Sequence, residues 1–313
     1  MEDLVVIAVG GNALIRDTRH MTVLDQYRAA GQTSHHIAAI VRRGHRVLIT
    51  HGNGPQVGFI LLRSEIAKDT LHRVPLSSCV ADTQGAIGFQ MEQTLANELH
   101  RTDVDRTVVA VVTQAVVDAN DPAFGDPRKP VGPFLSREEA EKHRDSDGWV
   151  VGEDAGRGWR RMVASPRPLE IVEESAIGTL LESGSVVIAA GGGGVPVTRD
   201  ADGCLRACDA VIDKDFTSAL LAGRLGADVL IIATKVGHVA LGFGTEHQRP
   251  IERMTVAEAE SYLAGGEFAV GSMRPKIEAS LEFLRAGGKR VIITCPEDLV
   301  DAIDGRAGTE IAA

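Results

Sequence analysis

Arg46-Val47-Leu48-Ile49-Thr50 runs directly into His51-Gly52-Asn53-Gly54-Pro55-Gln56-Val57-Gly58. The first segment is apolar or β-branched on consecutive residues rather than alternating ones, the pattern of a strand covered on both faces, as in a parallel sheet between helices. The second carries three glycines and a proline, which stop the strand in a turn. The same arrangement recurs where Leu4–Val9 meets Gly10-Gly11-Asn12-Ala13, and where Val186–Ala190 meets Gly191-Gly192-Gly193-Gly194-Val195-Pro196. Thr107–Thr113, Val229–Ala233 and Arg290–Thr294 are further β-branched runs. Helical segments separate them. In Gln84–Leu99 the residues Ile87, Met91, Leu95 and Leu99 form one apolar stripe, and in Pro275–Arg285 the residues Ile277, Leu281 and Leu284 do the same before Gly287-Gly288. Alternating strands and helices predict βαβ units in a doubly wound α/β sandwich.

The three glycine-rich turns therefore fall at the carboxyl ends of three parallel strands, the edge where open α/β sheets bind ligands. Turns without Cβ atoms let backbone N–H groups approach phosphate oxygens. Any one of them alone reads as a tight turn; three at equivalent strand ends point to a phosphate site. None is a Walker A loop or a dinucleotide fingerprint.

The 313 residues suit one large α/β domain, 44% apolar and 24% charged. A formal net charge of -10 argues against nucleic-acid binding, which needs clustered Lys and Arg. It leaves room for ATP, because a few lysines in one cleft set the local field. Met1–Val9 puts acidic residues ahead of a short apolar run, the wrong flank for a signal peptide, and no stretch approaches the ~20 apolar residues of a membrane span. A cytoplasmic protein is expected. Cys79, Cys204, Cys208 and Cys295 read as reduced thiols, and His35-His36 have no partners of metal-ligand spacing. Residues 118–168 break the strand–helix rhythm, with six of the twelve prolines and both tryptophans. That is too long for an ordinary connection. It reads as a small protruding subdomain or lid within a single domain of residues 1–313.

Three lysines have settings suited to phosphoryl transfer, which needs cations near the phosphate oxygens and alignment more than covalent chemistry. Lys129 lies between prolines in Asp126-Pro127-Arg128-Lys129-Pro130, while Lys214 and Lys276 open helices at Asp213-Lys214-Asp215 and Arg274-Pro275-Lys276. Helix N-termini attract anions and a lysine adds a full charge. Each lysine alone reads equally as a solvated surface charge, and Asp213 and Asp215 equally as helix caps.

Together these motifs closely resemble those of the carbamate kinases of the amino-acid kinase superfamily. The resemblance spans nearly the whole chain: Gly10 to Leu14, His51 to Gly58, Ser78 to Gly88, Asp121 to Phe124, Lys129 to Phe134, Gly158 to Val163, Gly191 to Pro196, Val211 to Asp215, Gly271 to Lys276 and Gly305 to Thr309. It implies a three-layer α/β/α sandwich with an eight-stranded, mainly parallel sheet, and a homodimer. The implied reaction is reversible transfer between ATP and carbamate, giving ADP and carbamoyl phosphate with Mg2+, in the ATP-forming direction. Carried over by position, Lys129 reaches over the site from the subdomain, and Lys214 and Lys276 hold the transferring phosphoryl group with Asp215 orienting Lys214. Gly10, Gly11, Asn12, Gly52 and Asn53 shape the small-substrate and phosphoryl pocket. Gly191, Gly192, Gly193, Gly194, Thr234, Val236 and Met273 serve the nucleotide. No residue is assigned to a metal. Carbamate is already an anion at pH 7, so positioning and charge neutralisation suffice.

Three positions depart from the pattern. Arg128 replaces a common threonine, Arg274 a usual glycine, and Lys235 the aspartate of a typical Thr-Asp-Val. The two arginines either bind an extra anionic group or point to solvent. The other readings are a relative acting on another small carboxylate and a nucleotide-binding regulatory protein; retention of all three lysines and Asp215 speaks against the latter.

Overall fold

The computed structural model describes residues 3–11, 19–154, 156–269 and 271–312. Its centre is an eight-stranded sheet in the order Arg253–Thr255, Thr309–Ala312, Arg290–Thr294, Val229–Ala233, Leu4–Val9, Arg46–His51, Val186–Ile188 and Val108–Ala110. The last six run parallel, whereas Thr309–Ala312 lies antiparallel to Arg290–Thr294 and Arg253–Thr255 follows it in parallel. All six residues of Leu4–Val9 are buried. Val5, Ile7 and Val9 pack towards Ile37, Ile87, Met91 and Leu95, while Leu4, Val6 and Ala8 pack with Ala219, Ile277 and Leu281 on the other face. This double coverage is why the sequence shows continuous apolar runs, and it makes the three-layer α/β/α sandwich.

Five of the six β-branched runs begin where the sequence places them. The sixth, Thr107–Thr113, is a strand only over Val108–Ala110, which stays in the large sheet; just beyond the run, Gln114–Val117 turns into a second sheet with Leu205–Ala207, Val195–Arg199 and Pro168–Ile171. The cause is a pair of side-chain bonds rather than local propensity. Gln84 donates through Nε2 to the Thr113 carbonyl (3.0 Å) and accepts the Thr113 N–H (2.7 Å), drawing the chain off the sheet edge.

The chain leaves the second sheet after Val117 and returns at Pro168, whose strand pairs antiparallel with the one it left. In between, Lys129–Leu135, Trp159–Val163 and Val150–Glu153 form a three-stranded sheet beside the helix Arg137–Asp147, which a Ser136–Glu139 capping box opens. Val131 and Val163 pack with Val57, Leu76 and Val80 at the base of this subdomain. No described helix is long and apolar enough to cross a membrane.

Candidate active site

The carboxyl ends of Leu4–Val9, Arg46–His51 and Val186–Ile188 bring the three glycine turns into contact. The Gly10 N–H donates to the Ala233 carbonyl (2.9 Å) and the Gly52 N–H to the Val9 carbonyl (2.9 Å), so these two amides brace the turns to the sheet and do not face a phosphate. A Cβ on Gly52 would lie 2.6 Å from the Gly11 nitrogen. At Gly192 (φ +67°) it would lie 2.0 Å from the Asn53 amide nitrogen. Glycine is required at both positions for the turns to close on one another. Asn53 in turn donates to Thr83 Oγ1 (2.8 Å), and directly after it the helix Gly54–Ala67 begins without a side-chain cap, leaving backbone N–H groups for an anion. Asn12 lies outside the described residues.

Lys214 is the first residue of the helix Lys214–Arg224, and the preceding Asp213 caps it, accepting the Asp215 N–H at 3.1 Å. Lys214 Nζ donates to Asp215 Oδ1 (2.5 Å), and Lys276, on the first turn of Met273–Arg285, donates to Asp215 Oδ2 (2.9 Å). Lys129 reaches across from the three-stranded sheet to Asp213 Oδ2 (2.8 Å). Lysines 214 and 276 from two helices and Lys129 from the strand Lys129–Leu135 thus converge on two carboxylates. Three ammonium groups against two carboxylates leave one excess positive charge, suited to an anionic ligand.

Asp215 is only 2% exposed. Burial acts to raise its pKa, but the two ammonium groups outweigh it and hold the carboxyl well below the usual carboxylate range. Burial likewise acts to lower the Lys276 pKa, and Asp215 outweighs it, so this lysine stays charged. His51, fully buried beside the four-glycine turn, donates from Nδ1 to the Gly52 carbonyl (3.1 Å). Burial pushes its imidazole down to about 4, against the pull of that carbonyl and with the help of Lys214. It is a neutral packing group at pH 7. Because the unfolded chain takes up this proton near pH 6.5, stability falls as pH drops from 6.5 towards 4, by about 3 kcal/mol from this residue. Urea unfolding at pH 7 and pH 4.5 checks this: His51→Gln is expected to lose less stability over that interval than wild type.

A cavity of about 600 Å3 opens over this edge, lined by Gly10, Gly11, Lys214, Lys276, Thr234 and Lys235, with Gln32, Thr33, His36 and Glu297 on the far wall. The far-wall residues carry no sequence signal, since they come from a plain amphipathic helix and the turn after Arg290–Thr294. Val236 and Met273 stand outside the cavity lining, both half-buried, and Met273 packs against the core. Gly191, Gly192, Gly193 and Gly194 also lie outside it, packed on His51, Asn53, Ile212 and Ala115. The expected nucleotide set therefore divides. Thr234 lies with the lysines, and the four glycines lie with Gly52 and Asn53, because a turn without Cβ atoms is what Asn53 needs beside it. Arg128 pairs with Asp126 (2.6 Å) and is 83% exposed, and Arg274 pairs with Glu278 (2.9 Å) along its own helix. Both side chains are exposed and each is engaged by a nearby carboxylate.

Residues 3–295 match the amino acid kinase family. The chain belongs to the amino acid kinase family. Over 316 aligned residues, covering 99% of each chain, this amino acid kinase is 47% identical to the carbamate kinase-like protein YahI of Escherichia coli. It is 46% identical to the carbamate kinase of Pyrococcus horikoshii, again over 99% of both chains. Its structure superposes on the carbamate kinase of Giardia lamblia bound to AMP-PNP with a TM-score of 0.94 at 39% identity, covering 99% of this kinase and 98% of the other.

Proposed function

We propose that this amino acid kinase transfers a phosphoryl group reversibly between ATP and carbamate, giving ADP and carbamoyl phosphate, and works in the ATP-forming direction. The observation that carries the reading is the convergence of Lys129, Lys214 and Lys276 on Asp213 and buried Asp215 at the glycine-turn edge. The full-length relatives named carbamate kinase support it, and the AMP-PNP complex of the Giardia enzyme supports ATP or ADP as the nucleotide.

In this scheme Lys214 and Lys276 neutralise the oxygens of the transferring phosphoryl group, with Asp215 holding both ammonium groups in place and charged. Lys129 approaches from the other side, on the subdomain of residues 118–168, which we take to act as a lid. Gly11, Gly52, Asn53 and the Gly191–Gly194 turn enclose the small carbamoyl group. Thr234 and Lys235 face the nucleotide. Asp213 and Asp215 are engaged by lysines, so neither is left to hold a metal by itself, and Mg2+ brought with the nucleotide would serve to neutralise its phosphates. In the ATP-forming direction a terminal phosphate oxygen of ADP, already an anion, attacks the phosphoryl group in line and carbamate departs as an anion, so neither direction needs a strong base.

The experiment is ATP formation from ADP with carbamoyl phosphate or acetyl phosphate as donor. Carbamoyl phosphate is expected to give the higher kcat/KM, and a preference for acetyl phosphate would move the assignment to another small carboxylate. We also infer a cytoplasmic homodimer. Apolar Val23 and Leu24 (60% and 59% exposed) and Phe89 offer surface for it, and sedimentation would report the mass.

A further inference from the structure

The subdomain meets the body of the fold at a second set of charges, which shares no residue with the lysine cluster. Arg73, in the loop after the helix Gly54–Ala67, places Nη1 2.9 Å from Asp147 Oδ1 on the subdomain helix. Its Nε lies 3.3 Å from Glu65 Oε2 on the body helix. His143, one turn before Asp147, places Nδ1 2.6 Å from Asp147 Oδ2 and Nε2 3.9 Å from Glu65 Oε1. Lys68 also pairs with Glu65. The Trp149 ring stacks on His143 at 4.2 Å and 9°, with the Arg161 guanidinium 5.1 Å from the indole. The side chains of His143 and Asp147 are 12% and 14% exposed, while that of Arg73 is 44% exposed, so the anchor depends on several charges and a stacked ring acting together rather than on one ion pair.

Glu65, His143 and Asp147 bring donor atoms within 4.8 Å of one another, as a metal site would. The two carboxylates are already balanced by Arg73 and Lys68, so a divalent ion would have to displace two cations. Arg73 and His143 hold the Asp147 carboxyl down to about 2, which keeps this carboxylate ionised near neutral pH. The cluster is an ion-pair anchor.

We propose that Arg73 and Asp147, with Glu65 and His143, are positioning residues for the reaction: they dock the far end of the subdomain so that Lys129, on its first strand, stands over the phosphoryl site. The strand Lys129–Leu135 pairs with Trp159–Val163, which pairs with Val150–Glu153 beside the anchored helix, so the subdomain transmits the docking as a unit. This inference rests on the assigned role of Lys129 in phosphoryl transfer.

The test is a double-mutant cycle on ATP formation from ADP and carbamoyl phosphate. Arg73→Met is expected to lower kcat/KM for carbamoyl phosphate by about 10- to 100-fold, the scale of a misplaced catalytic group, with the KM for ADP little changed. In a Lys129→Ala background the same substitution is expected to cost at most about twofold more, because the group it positions is already gone. Arg73→Lys recovers part of the loss. Asp147→Asn breaks the pair from the other side at constant volume and shows the same background dependence, which covers an Arg73 variant that fails to fold. Equal fold losses in both backgrounds, or no loss in the wild-type background, overturn the anchor. A Lys129→Ala enzyme as active as wild type overturns the role of Lys129 itself, and the anchor with it.

Discussion

Lys214→Ala and Lys276→Ala are each expected to lower the rate of ATP formation by a factor of about 10² to 10³, the effect of losing one preorganised charge-stabilising group. Both ammonium groups are held on Asp215, at 2.5 and 2.9 Å, so neither needs to reorganise as charge develops on the phosphoryl oxygens. The loss should fall on kcat more than on the KM for ADP, since the interaction strengthens in the transition state. Initial rates with saturating carbamoyl phosphate measure it. A loss below about threefold for both variants would remove them from the chemistry, far short of what such a group supplies.

The second large effect belongs to Asp215→Ala. The substitution leaves Lys214 and Lys276 in a buried site without their shared counter-ion, and breaking a buried pair from one side costs about 3–5 kcal/mol. Urea unfolding should report that loss. The kinetic signature is separate: burial alone lowers the Lys276 pKa, and Asp215 is what overcomes it. Without the carboxylate, Lys276 loses its proton at lower pH, so residual activity in the variant should decline on the alkaline side well before wild type does. An unchanged alkaline limb would show that Asp215 does not set the charge of Lys276.

The strands were legible because burial on both faces writes itself as consecutive β-branched residues, and the lysines because each sits where a helix begins or prolines stiffen the chain. The partnerships were not legible. Asp213 reads as a helix cap and is one, but it also receives Lys129 from 84 residues away, a contact that no local pattern encodes. The departure of Thr113 from the large sheet depends on Gln84, and the anchor at Arg73 joins a loop to a helix 74 residues on. Gly10 and Gly52 look like phosphate-binding amides in sequence, yet their N–H groups are used by the sheet. The arginines at 128 and 274 stand beside expected catalytic lysines in sequence, and in space each is paired with a nearby carboxylate.

The claim on which everything else rests is that Lys214 and Lys276 flank a single phosphoryl position above Gly10 and Gly11. A crystal structure of the chain with Mg2+ and a non-hydrolysable ATP analogue measures it directly. The terminal phosphate is expected within about 3 Å of both Nζ atoms, the length of a charge-assisted hydrogen bond. A nucleotide whose terminal phosphate makes no contact with either lysine would contradict the account.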